Sequence, residues 1–226
     1  MKKKRKKFTS RKERQRTLNL LMVLFGVLIV FAIMNDEFQL HKKPELILKS
    51  IPLGNVEKYT PLLQKELEKV QLEEYTPLLA AVMQQESKGR GGDPMQASES
   101  AGLPPNTIKN PEESIQQGVK HFHRAVHYGE KKNVDLPTIV QAYNMGLGYI
   151  DFVAGKGGEH KEELAKEFSY MQVQKNPDLY NCGGDKNNFR YPYCYGDFTY
   201  STKVFKNIEA TTSFTLKRSE MKIRKE

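Results

Sequence analysis

Leu78–Leu103, LLAAVMQQESKGRGGDPMQASESAGL, is the stretch on which the reading of this 226-residue chain turns. Leu79, Val82, Met83 and Glu86 fall at i, i+3, i+4 and i+7, so a carboxylate ends an otherwise apolar helical stripe. Glycines begin at Gly89 and stop the helix, which leaves Glu86 in the last turn, where the helix dipole is negative. Burial and the dipole both disfavour the ionised form. A carboxyl group kept protonated near neutral pH is what general acid catalysis requires. The competing reading is a glutamate at a frayed helix end with its head in water. Asp93 follows across the glycine turn, either as a second carboxylate or as an Asx-turn former before Pro94.

Towards the N-terminus the charge changes sharply. Residues 1–16 hold ten Lys and Arg against Glu13 alone, a charge of +9. The whole chain has 36 basic and 27 acidic side chains, so the other 210 residues carry 26 of each and are neutral. The basic excess belongs to a tail, which argues against a nucleic-acid partner, since such domains carry it on a folded face. Leu18–Met34, LNLLMVLFGVLIVFAIM, then has Asn19 as its only plainly polar residue. A helix of that length spans roughly 25 Å, slightly short of a hydrocarbon core, and flanking Arg and Lys can snorkel to close the gap.

Lys and Arg crowd one side of this run and Asn35, Asp36 and Glu37 the other, which places the N-terminus in the cytoplasm and the remainder outside. No small-x-small site follows, favouring an uncleaved anchor over a cleaved signal peptide. The expected organisation is a basic cytoplasmic tail (1–16), a transmembrane signal-anchor (17–34), a connector (35–58), a globular domain (59–209) and a polar tail (210–226). The lipid bilayer is then a partner through residues 18–34, and the protein is a single-pass protein of the cell membrane with its domain extracellular. Cys182 and Cys194 suit an oxidising compartment. Paired, they close a short loop worth about 3 kcal/mol in the chain-entropy model; two unpaired thiols are the alternative.

The rest of the chain reads as helices. In the connector, the ELILKSI run is a short strand or a segment docked on the domain. Thr60-Pro61 and Thr76-Pro77 each offer an N-cap and a first-turn proline, and Leu63, Leu67 and Val70 repeat at helical spacing. Asn110-Pro111 starts a helix with Ile115, Val119, Phe122 and Val126 as its buried stripe and Gly129 as its end. His123 and His127 have metal-ligand spacing, but no third ligand accompanies them, so no metal is expected. Leu136-Pro137 opens a helix that Gly146 and Gly148 break directly after Tyr143 and Asn144. The Gly155–Gly158 loop lacks the preceding strand of a phosphate-binding loop, and no cofactor is expected. Leu164, Ala165, Phe168 and Met171 describe an amphipathic helix with Met171 in the core. The aromatics between Tyr180 and Gly196 can stack on sugar rings or pack on one another. Tyr200, Val204 and Ile208 mark a last helix.

The ordered motifs QQES, DPMQASESAGLP and AYNMG, with the late Tyr200, closely resemble the lysozyme-like domain of bacterial cell-wall muramidases of the CwlT type. That group lies in the superfamily of goose-type lysozymes and soluble lytic transglycosylases, and the resemblance covers about residues 59–208. It implies a mainly α, lysozyme-like domain with a glycan-binding cleft, here preceded by one N-terminal transmembrane helix. The implied partner is the glycan strand of peptidoglycan, with a cell-envelope, conjugation or secretion assembly a further one. Glu86 takes the place of the catalytic acid and Asp93 that of the second carboxylate, with Glu99 in reserve. Ser87, Met95, Gln96, Glu99, Tyr143, Asn144 and Tyr200 take substrate-binding places. The reaction implied is hydrolysis between N-acetylmuramic acid and N-acetylglucosamine. A lytic transglycosylase giving 1,6-anhydromuramic products, or a wall-binding scaffold without catalysis, are the other readings. CwlT-type proteins often continue into a C-terminal peptidase domain, and no Cys and His pair in suitable context stands for one here.

Overall fold

The computed structural model describes residues 54–208, which form a mainly helical domain; no strand occurs among the described residues. The basic tail, the apolar 18–34 segment, the ELILKSI run and the C-terminal tail lie outside them. Among the described residues no helix is long and apolar enough to cross a membrane. The helices are α1 (Thr60–Glu68), α2 (Thr76–Glu86), α3 (Pro111–Lys132), α4 (Leu136–Met145), α5 (Gly148–Ala154), α6 (Glu162–Lys175) and α7 (200–208). Short 3-10 turns at Gly54–Tyr59, Glu73–Tyr75, Glu99–Ala101 and Cys182–Gly184 complete the framework.

The long α3 packs against α1, α4 and α5, while α2 packs on α1. Every residue of α2 from Thr76 to Met83 is buried, so the helix is a core rod apolar all round, not an amphipathic one with a single stripe. Only its last turn, Gln84–Glu86, reaches towards solvent. Glu86 is therefore the point at which a buried helix meets the surface.

Several local expectations need correction. Thr60 and Thr76 do not cap their helices: each hydroxyl donates backwards, to the Val56 and Glu73 carbonyls of the preceding 3-10 turns. The globule begins before residue 59, since Val56 is wholly buried. Asn110 does cap α3, accepting from the Glu112 amide at 2.8 Å. Gly129 does not end that helix: it lies inside, where a Cβ would meet the Ile139 side chain at 2.5 Å, and the left-handed Asn133 closes the last turn. Met171 is 42% exposed on α6, not in the core, because Ala165, Phe168 and Ser169 supply that helix's buried face.

Candidate active site

Glu86 is half-buried at the end of α2, and the Tyr200 hydroxyl donates to its Oε1 at 2.6 Å. Burial pushes its pKa up to about 7; the Tyr200 hydrogen bond opposes this, and the charges of Asp93 and Glu99 add to it. Tyr200 itself is buried, 2% exposed, at the start of α7, and Asn207 on the same helix donates to the Ala81 carbonyl of α2. The carboxyl therefore titrates near neutrality because burial at the end of α2 outweighs the hydrogen bond from α7.

The glycine turn after Glu86 is pinned by close backbone approach. A Cβ on Gly89, which has φ +66°, would sit 2.8 Å from the Asn55 carbonyl carbon, and one on Gly92 would sit 2.4 Å from the Lys109 carbonyl oxygen. The Ser87 hydroxyl donates to the Pro94 carbonyl at 2.7 Å and closes the turn from within. Ser87 thus braces the loop while also lining the cleft.

Asp93 lies beneath that turn, 4% exposed. Its Oδ1 accepts from the Ala97 amide at 2.8 Å and the Ser114 hydroxyl at 2.6 Å, and its Oδ2 from the Ser98 amide at 3.1 Å and the Ser98 hydroxyl. Burial alone would raise its pKa, but these donors together outweigh that and hold it below the usual carboxylate value. This is not an Asx turn, since the Met95 amide two residues on donates to Ser114 instead; the donors are amides four and five residues on, joined by the hydroxyls of Ser98 and of Ser114 from α3.

Two neighbours in sequence diverge in space. Met95 is wholly buried and contributes no surface to the cleft, contrary to the substrate-binding place expected for it. Its side chain presses on α3 at Gly118, where a Cβ would approach the Met95 Cβ to 2.8 Å; its amide donates to Ser114 and its carbonyl accepts from the Tyr143 hydroxyl at 3.2 Å. Gln96 turns outward through a left-handed backbone, φ +47°, and donates to the Asp93 carbonyl and to Asn106 Oδ1. Tyr143 is also buried, with only its edge on the cleft.

Two depressions meet at the acid. One, of about 510 Å³, is lined by Glu86, Gln96, Glu99, His121, Asn144 and Tyr195, among others. The other, of about 360 Å³, is lined by Glu86, Gln96, Arg90, Asn106 and Lys109, with the Gly91–Gly92 backbone between them. Glu86 and Gln96 belong to both. Glu99 is exposed at the rim of the larger one, on its 3-10 turn.

His121 had no place in the sequence reading, which noted only His123 and His127. Its Nε2 faces the Tyr143 carbonyl at 3.1 Å, which fixes the Nε2–H tautomer, and its ring meets the edge of Tyr143 at 4.8 Å. Burial lowers its pKa, the Tyr143 carbonyl opposes this, and Arg124 lowers it further. The only hint was its position one residue before the stripe residue Phe122.

The aromatic wall opposite is fixed to α4. Cys182 and Cys194 are joined, with Cα atoms 5.1 Å apart. Just beyond them the Tyr195 hydroxyl donates to the Met145 carbonyl at 2.9 Å, and the Asp197 amide to Asn144 Oδ1 at 2.7 Å. Phe189 and Tyr191, by contrast, are 61% and 45% exposed. Among the described residues no group of His, Cys, Asp and Glu is placed to hold a metal ion.

A family model described as Lysozyme-like matches residues 53–208. The chain is 50% identical over 184 residues to an uncharacterized membrane protein, YocA, of Bacillus subtilis, covering 81% of each. It is 39% identical over 120 residues to the bifunctional muramidase/DL-endopeptidase CwlT of B. subtilis, covering 53% of this chain but only 36% of that protein. A solved structure of a protein similar to an NLP/P60-family lipoprotein, from Staphylococcus aureus, superposes with a TM-score of 0.58 at 35% identity, over 68% of this chain and 52% of that one.

Proposed function

Because the chain belongs to the lysozyme-like family, we propose that it is a muramidase that cleaves the glycan backbone of peptidoglycan, with Glu86 as the general acid. The observation that carries this reading is a single carboxyl group, protonated up to about pH 7, set where two depressions of one cleft meet. In that position it donates its proton to the glycosidic oxygen as the bond to the anomeric carbon breaks. Tyr200 orients the carboxyl and, by donating to it, stabilises the carboxylate left behind. The kinship with a protein named as a muramidase supports the substrate. The apolar run at 18–34 and the kinship with a protein named as a membrane protein support an anchored enzyme with its cleft outside the cell.

Asp93 serves this reaction as an ionised group, not as a base. Four donors occupy its oxygens, leaving none for a water molecule. Its charge adds to the burial that raises the Glu86 pKa and stabilises positive charge developing at the anomeric carbon. Glu99, exposed on the cleft rim, is then the carboxylate available to activate water.

The same occupation of Asp93 favours a second reading, lytic transglycosylation. There Glu86 acts twice and the muramoyl 6-hydroxyl replaces water as the nucleophile. Mass analysis of the fragments released from purified peptidoglycan separates the two, since anhydro products are lighter by one water. Glu86→Gln is expected to abolish release of either product. A variant that digests walls as fast as the parent would remove Glu86 from its role and leave a glycan-holding scaffold as the better description.

A further inference from the structure

The smaller depression differs in chemistry from the larger one. Arg90 and Lys109 line it, together with the side-chain amides of Gln96 and Asn106. Arg90 is anchored through its Nε, which donates to the Ser87 carbonyl at 3.2 Å, and its terminal nitrogens have no partner among the described residues. The Lys109 ammonium likewise has no ion pair there. Asp93 also lines this depression but forms no ion pair with either, because its oxygens accept from Ala97, Ser98 and Ser114.

This arrangement is built, not incidental. Gly92 lies so close to the Lys109 backbone that a Cβ would approach its carbonyl oxygen to 2.4 Å, which locks the segment bearing Lys109 to the turn bearing Arg90. Gln96 and Asn106 both adopt left-handed backbones, at φ +47° and +57°, and their side chains join through a hydrogen bond of 3.3 Å. Two non-glycine residues held in that region carry strain that the surrounding contacts must offset. Together they hold both amides at the mouth beside two unpaired cations.

We propose that this depression is an anion subsite that receives a carboxylate of the peptide stem borne by the muramoyl residue next to the scissile bond. The choice of saccharide rests on the glycan-cleavage reading above. The muramoyl sugar carries at O3 a lactyl group extended by a peptide with free carboxylates. Two cations flanked by two amides match a carboxylate and the peptide groups preceding it. A phosphodiester of an anionic wall polymer would use the cations but carries no peptide group to pair with the amides.

The full-length Glu86→Gln protein, which does not turn over, is titrated calorimetrically with a disaccharide–peptide bearing free carboxylates and with the same ligand amidated at those groups. The amidated ligand is expected to bind about tenfold more weakly, the loss of one charge-assisted contact. Adding Arg90→Gln and Lys109→Gln should bring the two ligands within about twofold of one another. If the double substitution unfolds the protein, each single substitution gives the same comparison. Equal binding of both ligands by the starting protein, or discrimination that survives the substitutions, overturns the proposal. Tighter binding of a glycerol-phosphate oligomer than of the disaccharide–peptide overturns it in favour of a phosphate-bearing polymer. If wild-type protein fails to cleave peptidoglycan while the discrimination holds, the cleavage reading falls and the subsite stands; cleavage without discrimination is the reverse.

Discussion

Glu86→Gln should abolish catalysis and at the same time stabilise the fold, by an amount that depends on pH. The folded-state pKa of Glu86 is about 7 against an ordinary value of 4.5. Below pH 4.5 the carboxyl is protonated in both states and costs nothing. Between the two values the unfolded chain releases the proton and the folded chain retains it, so stability falls as pH rises and the loss is complete above pH 7. At about 1.36 kcal/mol per unit the difference amounts to roughly 3 kcal/mol. Glutamine is neutral at every pH and its carbonyl can still accept from the Tyr200 hydroxyl. Urea unfolding of parent and variant at pH 4, 6 and 8 should therefore give near-equal stabilities at pH 4 and a variant more stable by roughly 3 kcal/mol at pH 8. A difference that stays constant with pH, or grows towards acid, would refute the claim that Glu86 is held against its preferred ionisation.

Tyr200→Phe removes the one hydrogen bond that favours the Glu86 carboxylate, so the pKa of the acid should rise by about one unit. Activity that needs the protonated acid is lost as pH climbs through that value, and the alkaline limb of the pH–rate profile should move upward by the same amount. Asp93→Asn places an amide among four donors and should destabilise the domain by about 3 kcal/mol in urea unfolding at pH 7. Because the Asp93 pKa is lowered by folding, its stabilisation is present above the unfolded value and fades as pH falls, so the difference between parent and variant should shrink in acid. Cys182→Ser should lower the unfolding free energy of the oxidised protein by about 3 kcal/mol and raise KM, since the loop it closes leads into the Tyr195 wall.

The position of Glu86 was readable because helical periodicity and a glycine stop are local signals, and they located both the helix and its end. What α2 is buried against was not, and the apolar stripe proved to be one side of a rod enclosed all round. The divergence of Met95 and Gln96 escaped the sequence because it depends on one left-handed backbone at Gln96, which no composition rule assigns to a glutamine. Gly129 misled for a related reason: a glycine in a helix reads as a stop, whereas here it makes room for Ile139 from another helix. His121 was overlooked because its meaning comes from the Tyr143 carbonyl, a partner 22 residues away. Asp93 was found as a residue, but its chemistry is set by Ser114 as much as by its own loop.

The clasp between α2 and α7 bears on the order in which the site is completed. Glu86 and Tyr200 are separated by 114 residues, so the contact that orients the acid joins nearly the first core helix to the last described one. During synthesis the segment carrying the carboxyl leads and its hydroxyl partner trails, with the residues that line the cleft between them. A polypeptide interrupted between residues 93 and 199 retains the glutamate and the glycine turn, yet lacks the hydroxyl that donates to the carboxyl. Under the proposed mechanism, arrival of the α7 segment thereby doubles as the step that arms the acid.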